Sequence, residues 1–255
     1  MNDFIKNYWE NQAVKHKDNY KTSWEDIYAI ELECKVIENL LFDNSLVLDV
    51  GCGNGYSILS HKNKKNIKFY GIDFSENMIK YANENKEKLK ASNYNFSEGN
   101  ILEIPFNDET FDFVYTTRTL INLPTWELQK KAIIECLRVT KNTGRVAFLE
   151  AFCEPFMKLN SIRKILDLKP LVQHDFNKYL GKGELEKLLN ELNYSYENID
   201  YSSIYYMGSR IIREIINDNN DLKKYDNILN EDFFKIQKKY QGGNVGIQQA
   251  YIIKK

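Results

Sequence analysis

Asp49, Gly51, Gly53 and Gly55 alternate through Leu46-Val47-Leu48-Asp49-Val50-Gly51-Cys52-Gly53-Asn54-Gly55-Tyr56. Residues of these types at this spacing can hold a nucleotide-like ligand. The carboxylate offers acceptors, and the glycines let a ligand approach the main chain where a Cβ would stand in its way. The apolar run before them reads as a buried parallel strand, and helix-like sequence follows from Tyr56. A helix that opens on such a turn presents unpaired N–H groups and the positive end of its dipole to the ligand. A second acid, Asp73, ends the next apolar run, Ile67-Lys68-Phe69-Tyr70-Gly71-Ile72-Asp73, a little over twenty residues after Asp49. That is the distance at which α/β nucleotide folds place an acid on ribose hydroxyls. The dinucleotide fingerprint G-x-G-x-x-G/A needs a third small residue. Counted from Gly51 that residue is Tyr56, and counted from Gly53 it is Ile58, so a nicotinamide-type oxidoreductase is only a third choice.

The elements that must position these residues follow from pattern. Asp3 to about Asn19 reads as a polar, partly helical lead-in with Tyr8 and Trp9 as its large apolar groups. Ser23 is the candidate cap of the next helix, with Asp26 in the reciprocal position, and Ile27, Ile30, Leu32, Val36, Ile37, Leu40 and Leu41 give that helix an amphipathic spacing. Ser75 or Asn77 opens a helix through Met78, Ile79 and Tyr81. Tyr94–Asn100 alternates as a third strand, Phe111–Arg118 is a fourth, Thr125 caps a helix from Trp126, Asn142-Thr143-Gly144 is a turn, and Arg145–Glu150 is a fifth strand. From Ala151 to about Phe176 the sequence reads as helices separated by Pro155 and Pro170. A helix at Gly183–Leu189, a strand over Tyr194–Tyr206, mostly helix from Met207 to about Tyr240 and a final strand Ile247–Ile253 complete the chain.

The acidic-x-Gly-x-Gly-x-Gly stretch resembles the first motif of class I S-adenosylmethionine-dependent methyltransferases. The resemblance implies an α/β Rossmann-like fold: a seven-stranded, mostly parallel sheet with helices on both faces, the last strand antiparallel, and helical cap insertions. It implies S-adenosylmethionine as cofactor, with Asp49, Gly51, Gly53 and Gly55 under its amino-acid end and Asp73 on both ribose hydroxyls. Phe74 and Met78 would lie near the adenine. Gly99-Asn100-Ile101-Leu102-Glu103-Ile104-Pro105-Phe106 is similar to the segment that reads the adenine, with Asn100 where the family usually has Asp and the Ile101 N–H facing a ring nitrogen. Thr117 and Trp24 complete the expected cofactor set. The stretch from Arg118 to Lys131 resembles a bacterial subgroup associated with surface-glycan and small-molecule gene sets.

Methyl transfer from a sulfonium is an in-line displacement, so the protein must align the nucleophile, exclude water and handle its proton. Ligands of open α/β sheets bind beyond the carboxyl ends of strands, where Arg118, Asn122 and Glu150 emerge. The expected catalytic residues are His174 as general base, because imidazole titrates near working pH, with Arg118 and Glu150. Asn122, Asn177, Tyr205, Tyr206 and Arg210 are the expected substrate residues. His174 has an equally plain reading as a surface or capping residue and Arg118 as the partner of a nearby acid such as Glu150, while Arg210 and the tyrosine pair read more readily as packing than as substrate contacts. The three histidines, His16, His61 and His174, show no metal-ligand spacing, so no metal is expected. The favoured activity is O-methylation of a small polar metabolite such as a sugar or a nucleotide-linked, phosphorylated or phosphoramidate precursor of a surface glycan. A small-molecule N-methyltransferase and a non-catalytic S-adenosylmethionine-binding sensor or partner protein are the alternatives.

Composition bounds the rest. The chain has 255 residues, 43% of them hydrophobic, and a formal net charge of -1, so no polyanion is expected as partner. The Asn/Asp-Pro-Pro-aromatic signature of DNA-base methyltransferases is absent after strand four, where Thr116-Thr117-Arg118-Thr119 stands. Lys62-Asn63-Lys64-Lys65-Asn66 reads as a solvated turn. Cys34, Cys52, Cys136 and Cys153 form no C-x-x-C pair and read as reduced thiols of a cytoplasmic protein. No signal peptide or membrane span is expected. The domain reading is a helical lead-in or cap over 1–44, a cofactor-binding core over 45–150, and the remainder of the same domain over 151–255, with cap insertions at about 151–180 and 207–244. Oligomeric state is left open.

Overall fold

A computed structural model describes residues 3–64, 66–216, 225, 227–240 and 242–255. In chain order the elements are α1 (Asp3–His16), α2 (Ile27–Leu40), β1 (Leu46–Val50), α3 (Tyr56–Leu59), β2 (Lys68–Asp73), α4 (Glu76–Leu89), β3 (Tyr94–Glu98), β4 (Phe111–Thr117) and α5 (Trp126–Val139). They continue as β5 (Thr140–Ala151), α6 (Cys153–Ile165), α7 (Lys182–Glu191), β6 (Ser195–Ile199), α8 (Ser203–Met207), α9 (Arg213–Ile216), α10 (Ile228–Lys239) and β7 (Gln248–Lys254), with a π-helical turn at Gly208–Ile212.

Val47, Leu48 and Val50 are fully buried, so β1 needs a strand on each side and a layer on each face. It pairs in parallel with β2, setting Val47 opposite Phe69, and with β4, setting Val47 opposite Phe113. The seven strands form one sheet in the order β3-β2-β1-β4-β5-β7-β6, flanked by helices. This is the expected fold. The antiparallel strand β7 lies between β5 and β6, so the fully buried Tyr251 and Ile253 are covered from both sides. The chain leaves β1 toward β2 and β3, then returns to the opposite side of β1 as β4. Such a reversal opens a crevice beyond the carboxyl ends of the strands. No helix among the described residues is long and apolar enough to cross a membrane.

Local signals set most boundaries. Ser75 Oγ accepts from the Met78 N–H at 3.1 Å to open α4, and Thr125 Oγ1 accepts from the Leu128 N–H at 3.3 Å to open α5. At α2 the cap is Asp26, whose carboxylate accepts from the Ala29 N–H at 3.2 Å, and not Ser23, which ends the short 3-10 turn Tyr20–Thr22. Asn142-Thr143-Gly144 is no turn: it lies within β5, which shifts register against β4 between Phe111 and Phe113. The expected helices of 151–176 reduce to α6. Pro155 falls in its first turn, where proline costs no hydrogen bond, and no helix forms from Asp167 to Leu180. The expected strand over Tyr194–Tyr206 ends at Ile199. Asp200 then accepts from the Ser202 and Ser203 N–H groups at 3.1 and 2.9 Å and turns the chain into α8, so Tyr205 and Tyr206 are helical. Within the expected helical stretch 207–240, residues 217–224 and 226 lie outside the described residues.

Candidate active site

Between β1 and α3 the chain turns through Gly51, Gly53 and Gly55 with φ of 82°, 53° and 77°, a region that favours glycine. The Gly51 and Cys52 N–H groups donate to the Ile72 carbonyl at 2.7 and 3.0 Å, which ties the turn to β2. A Cβ on Gly51 would stand 2.3 Å from the Thr119 side chain, whereas one on Gly53 would have only Met78 Sδ within reach, at 3.9 Å. Gly53 therefore faces open space. Its N–H donates to Asp73 Oδ2 at 3.0 Å, and the Ser75 N–H donates to Asp73 Oδ1 at 2.9 Å. Burial pushes the Asp73 carboxyl up to about 6 even so, because those two N–H bonds only partly offset its desolvation.

Asp49 is more deeply enclosed. Its carboxylate makes no hydrogen bond of good geometry, the Tyr115 hydroxyl beside it being its nearest donor, and burial pushes the group up to about 8. Asn54 braces the turn against the N-terminal segment. Its amide donates to the Lys17 and Asn19 carbonyls at 2.8 and 3.0 Å and to Thr22 Oγ1 at 3.1 Å.

A cleft of about 870 Å³, counted to its open mouth, lies over this turn. Gly51, Gly53, Asp73, Phe74, Met78, Ile101 and Thr117 line it, so these expected cofactor residues come together. Arg118, Asn122, Trp9 and Ser23 line it too, and the same four residues line a second cavity of about 570 Å³, likewise counted to its open mouth. That cavity adds Tyr8, Trp24, His174, Phe176, Asn177, Tyr179 and Gln248. Thus Trp24, expected on the cofactor, borders the second cavity instead, together with His174 and Asn177.

Several expected site residues are placed elsewhere. Gly55 is the residue before α3, packed beneath the cleft, where a Cβ would meet Leu59, Phe96 and Ala82 at 3.2–3.3 Å. Asn100 is exposed and does not line the cleft. Its Oδ1 accepts from the Leu102 N–H at 3.0 Å, closing its own turn. Glu150 is fully buried and unavailable to a substrate. Its Oε1 accepts from Thr116 Oγ1 at 2.7 Å and from the Thr119 and Leu120 N–H groups at 3.0 and 3.1 Å, which fixes the loop after β4.

Tyr205, Tyr206 and Arg210 are buried behind the cavities because α8 and the π-helical turn pack inward. The Tyr205 and Arg210 side chains donate to Asp26, and the Tyr206 hydroxyl donates to Gln248. Arg118 pairs with Glu33 rather than Glu150, its Nε lying 3.0 and 3.1 Å from the two carboxylate oxygens and its guanidinium 5.1 Å from the Trp24 ring centroid. Arg118 holds φ of 54°, an unusual conformation for a residue with a Cβ, at the exit of β4. His174 is exposed and stacks on Phe176, centroids 5.6 Å apart at 15°.

Sequence reasoning missed Ser23, Glu33, Asn54, Thr119 and the role of Trp9 and Phe176 as walls. Glu33 carried a usable signal: it lies three residues after Ile30 and four before Ile37, a charge on the buried stripe of an amphipathic helix. Burial raises it to about 7 against the pull of Arg118.

A nucleoside with a charged amino-acid end fits this cleft. Gly53 leaves room against the main chain and Asp73 stands at the end of β2 on the cleft wall, while Asp49, expected on the cofactor, lies beneath the cleft and does not line it. The family model of the methyltransferase domain matches residues 41–193. A demethylmenaquinone methyltransferase of Bacillus mycoides is 36% identical over 108 residues, 42% of this chain and 44% of that one. An O-methyltransferase of Aspergillus nomiae is 29% identical over 134 residues, 51% of this chain and 58% of that one. The chain thus spans about half the length of the curated relatives it matches. A solved S-adenosylmethionine-dependent methyltransferase of Thermotoga maritima, a possible histamine N-methyltransferase, superposes with a TM-score of 0.62 at 16% identity, covering 98% of this chain and 99% of that one. At that identity the likeness concerns the fold. The chain belongs to the S-adenosylmethionine-dependent methyltransferase-domain family, in its Rossmann-like form.

Proposed function

We propose that the chain transfers a methyl group to an oxygen of a small polar acceptor held in the second cavity. The observation that carries the reading is the junction of the two cavities, where Arg118 and Asn122 line both. A group bound over the glycine turn then has one face toward the second cavity. Bound S-adenosylmethionine supplies a methyl on a positively charged sulfur. The chain's part is to hold and orient. Asp73 and the Gly53 main chain bind the ribose, Phe74, Met78 and Ile101 take the base, and Thr117 and Asn122 border the point of transfer. Aromatic walls from α1 and from residues 174–179 exclude water, as in-line displacement requires. His174, at the rim, is placed to take the proton of an alcohol acceptor.

Among the proposed acceptors, the phosphorylated or nucleotide-linked glycan precursor receives the weakest support. Arg210 is buried on Asp26 and cannot reach a phosphate, and a phosphate at Arg118 would compete with Glu33, which already holds its Nε. The kinship with an O-methyltransferase favours oxygen over nitrogen as acceptor. The test is incubation with methyl-labelled S-adenosylmethionine and a panel of small hydroxylated and aminated compounds. Labelled product that disappears in Asp73→Ala is the expected result. Tight cofactor binding with no product from any class would assign the chain to non-catalytic binding.

A further inference from the structure

We infer that the second cavity selects an uncharged, hydroxylated ring, with Asn122 and Asn177 reading its hydroxyl hydrogens. The inference rests on the methyltransferase reading above and narrows its acceptor.

The walls of the cavity are aromatic. Tyr8 and Trp9 of α1 meet Phe176 with ring centroids 4.7 and 6.4 Å apart, while Trp24 and Tyr179 border the same space. Flat apolar faces suit a ring, and their area excludes water from it.

The charge in the cavity already has a partner. Arg118 is the permanently charged side chain of the lining, and the fully buried Glu33 holds it through both carboxylate oxygens. An anion that drew Arg118 away would leave Glu33 buried without its partner. A cation would find no carboxylate in the lining.

Among the buried side-chain atoms of the lining, those without a partner are both acceptors. Asn122 Oδ1 and Asn177 Oδ1 are both buried with no partner. The Asn122 amide nitrogen donates to the Arg118 carbonyl at 2.8 Å, which leaves its oxygen as the unpartnered end. The Asn177 main chain is pinned by its N–H donating to the His174 carbonyl at 2.9 Å. A carbonyl oxygen accepts and cannot donate, so this pair matches O–H groups and opposes the oxygens of a phosphate or carboxylate. Asn122 borders both cavities and reads the hydroxyl nearest the transfer point. Asn177 borders the second cavity and not the cofactor cleft, and reads another.

Two kinds of molecule share this chemistry, a dihydroxylated aromatic ring and an uncharged sugar. The test titrates the whole chain with catechol, methyl glucoside and phenyl phosphate, following the tryptophan fluorescence, to which Trp9 and Trp24 of the cavity and Trp126 outside it contribute. Saturable quenching by catechol or by methyl glucoside, at least tenfold tighter than by phenyl phosphate, is expected, and the stronger of the two names the source. Asn177→Leu should weaken the uncharged ring at least tenfold while its calorimetric affinity for S-adenosylmethionine stays that of the parent chain. Phenyl phosphate binding as tightly as the uncharged rings, saturation by none of the three, or unaltered binding in a folded Asn177→Leu would overturn the inference. The readout needs no turnover, so a failure of methyl transfer and a failure of ring selection give separate results.

Discussion

Replacing Asp49 by asparagine keeps the outline of the side chain and removes a buried acid whose one neighbouring donor is the poorly aligned Tyr115 hydroxyl. The group rises from an ordinary 3.8 to about 8, chiefly through burial. In the unfolded chain at pH 7 it is ionised; in the folded chain it is protonated. Each pH unit between 3.8 and 7 carries ~1.4 kcal/mol, so its burial costs on the order of 4 kcal/mol at that pH. The asparagine amide is buried in its place without partners, at about 1–3 kcal/mol. The net stabilisation is roughly 1–3 kcal/mol, and for a chain of this size that raises Tm by roughly 3–10 °C.

The sign of the pH dependence follows from the raised value. Asp49's contribution to stability is intact below about pH 4 and is lost as pH climbs toward 8, whereas asparagine does not titrate. Glu33 and Glu150, each raised to about 7 by burial, titrate in both proteins, and the repulsion of Asp49 by Asp73 and Glu33 adds a smaller part to the difference, with the same sign. Thermal melts of the two proteins in parallel from pH 5 to pH 8 are the assay. The Tm gain should be near zero at pH 5 and largest at pH 8. A gain that does not vary with pH, or an Asp49→Asn protein that melts below the parent at pH 8, would refute the reasoning.

Asp73 is raised to about 6, so if its ionised form holds the ribose, affinity for S-adenosylmethionine should be level above neutral pH. It should then fall about tenfold per pH unit below 6 in calorimetry. Affinity unchanged down to pH 5 would remove that role. Gly53→Ala should fold with a loss of about 1–2 kcal/mol from its left-handed backbone, yet lose cofactor affinity because its Cβ enters the cleft. Gly51→Ala should melt lower still, since its Cβ meets Thr119 at 2.3 Å. Glu33→Ala strips Arg118, whose side chain is 11% exposed, of its carboxylate and should cost about 3–5 kcal/mol in denaturant unfolding, with Glu33→Gln losing less.

What the sequence reveals here is local. The β1–turn–α3 unit, the Asp73 strand end and the caps Ser75 and Thr125 are each encoded within a few residues, and each forms where its signal lies. The partner of Arg118 was not legible, because Glu33 lies 85 positions away and only the packing of α2 against the end of β4 brings the two together. Tyr205 and Tyr206 carry strand-like composition, but Asp200 captures two successive N–H groups and bends the chain into a helix, which sends both phenols inward. Asn100 illustrates a competition that the motif alone does not settle: a short polar side chain bonds its own turn, two residues on, before it can serve a ligand. The acceptor cavity was the least legible part. Its walls come from α1, the β4 exit and residues 174–179, segments that only the tertiary fold assembles.

A crystal structure with S-adenosylhomocysteine bound tests the central claim most directly. The ligand should lie along the Gly51–Gly55 turn, with its ribose hydroxyls within hydrogen-bond distance of the Asp73 carboxylate and its sulfur toward Asn122. A ligand seated away from that turn, or one whose ribose makes no contact with Asp73, would contradict the account.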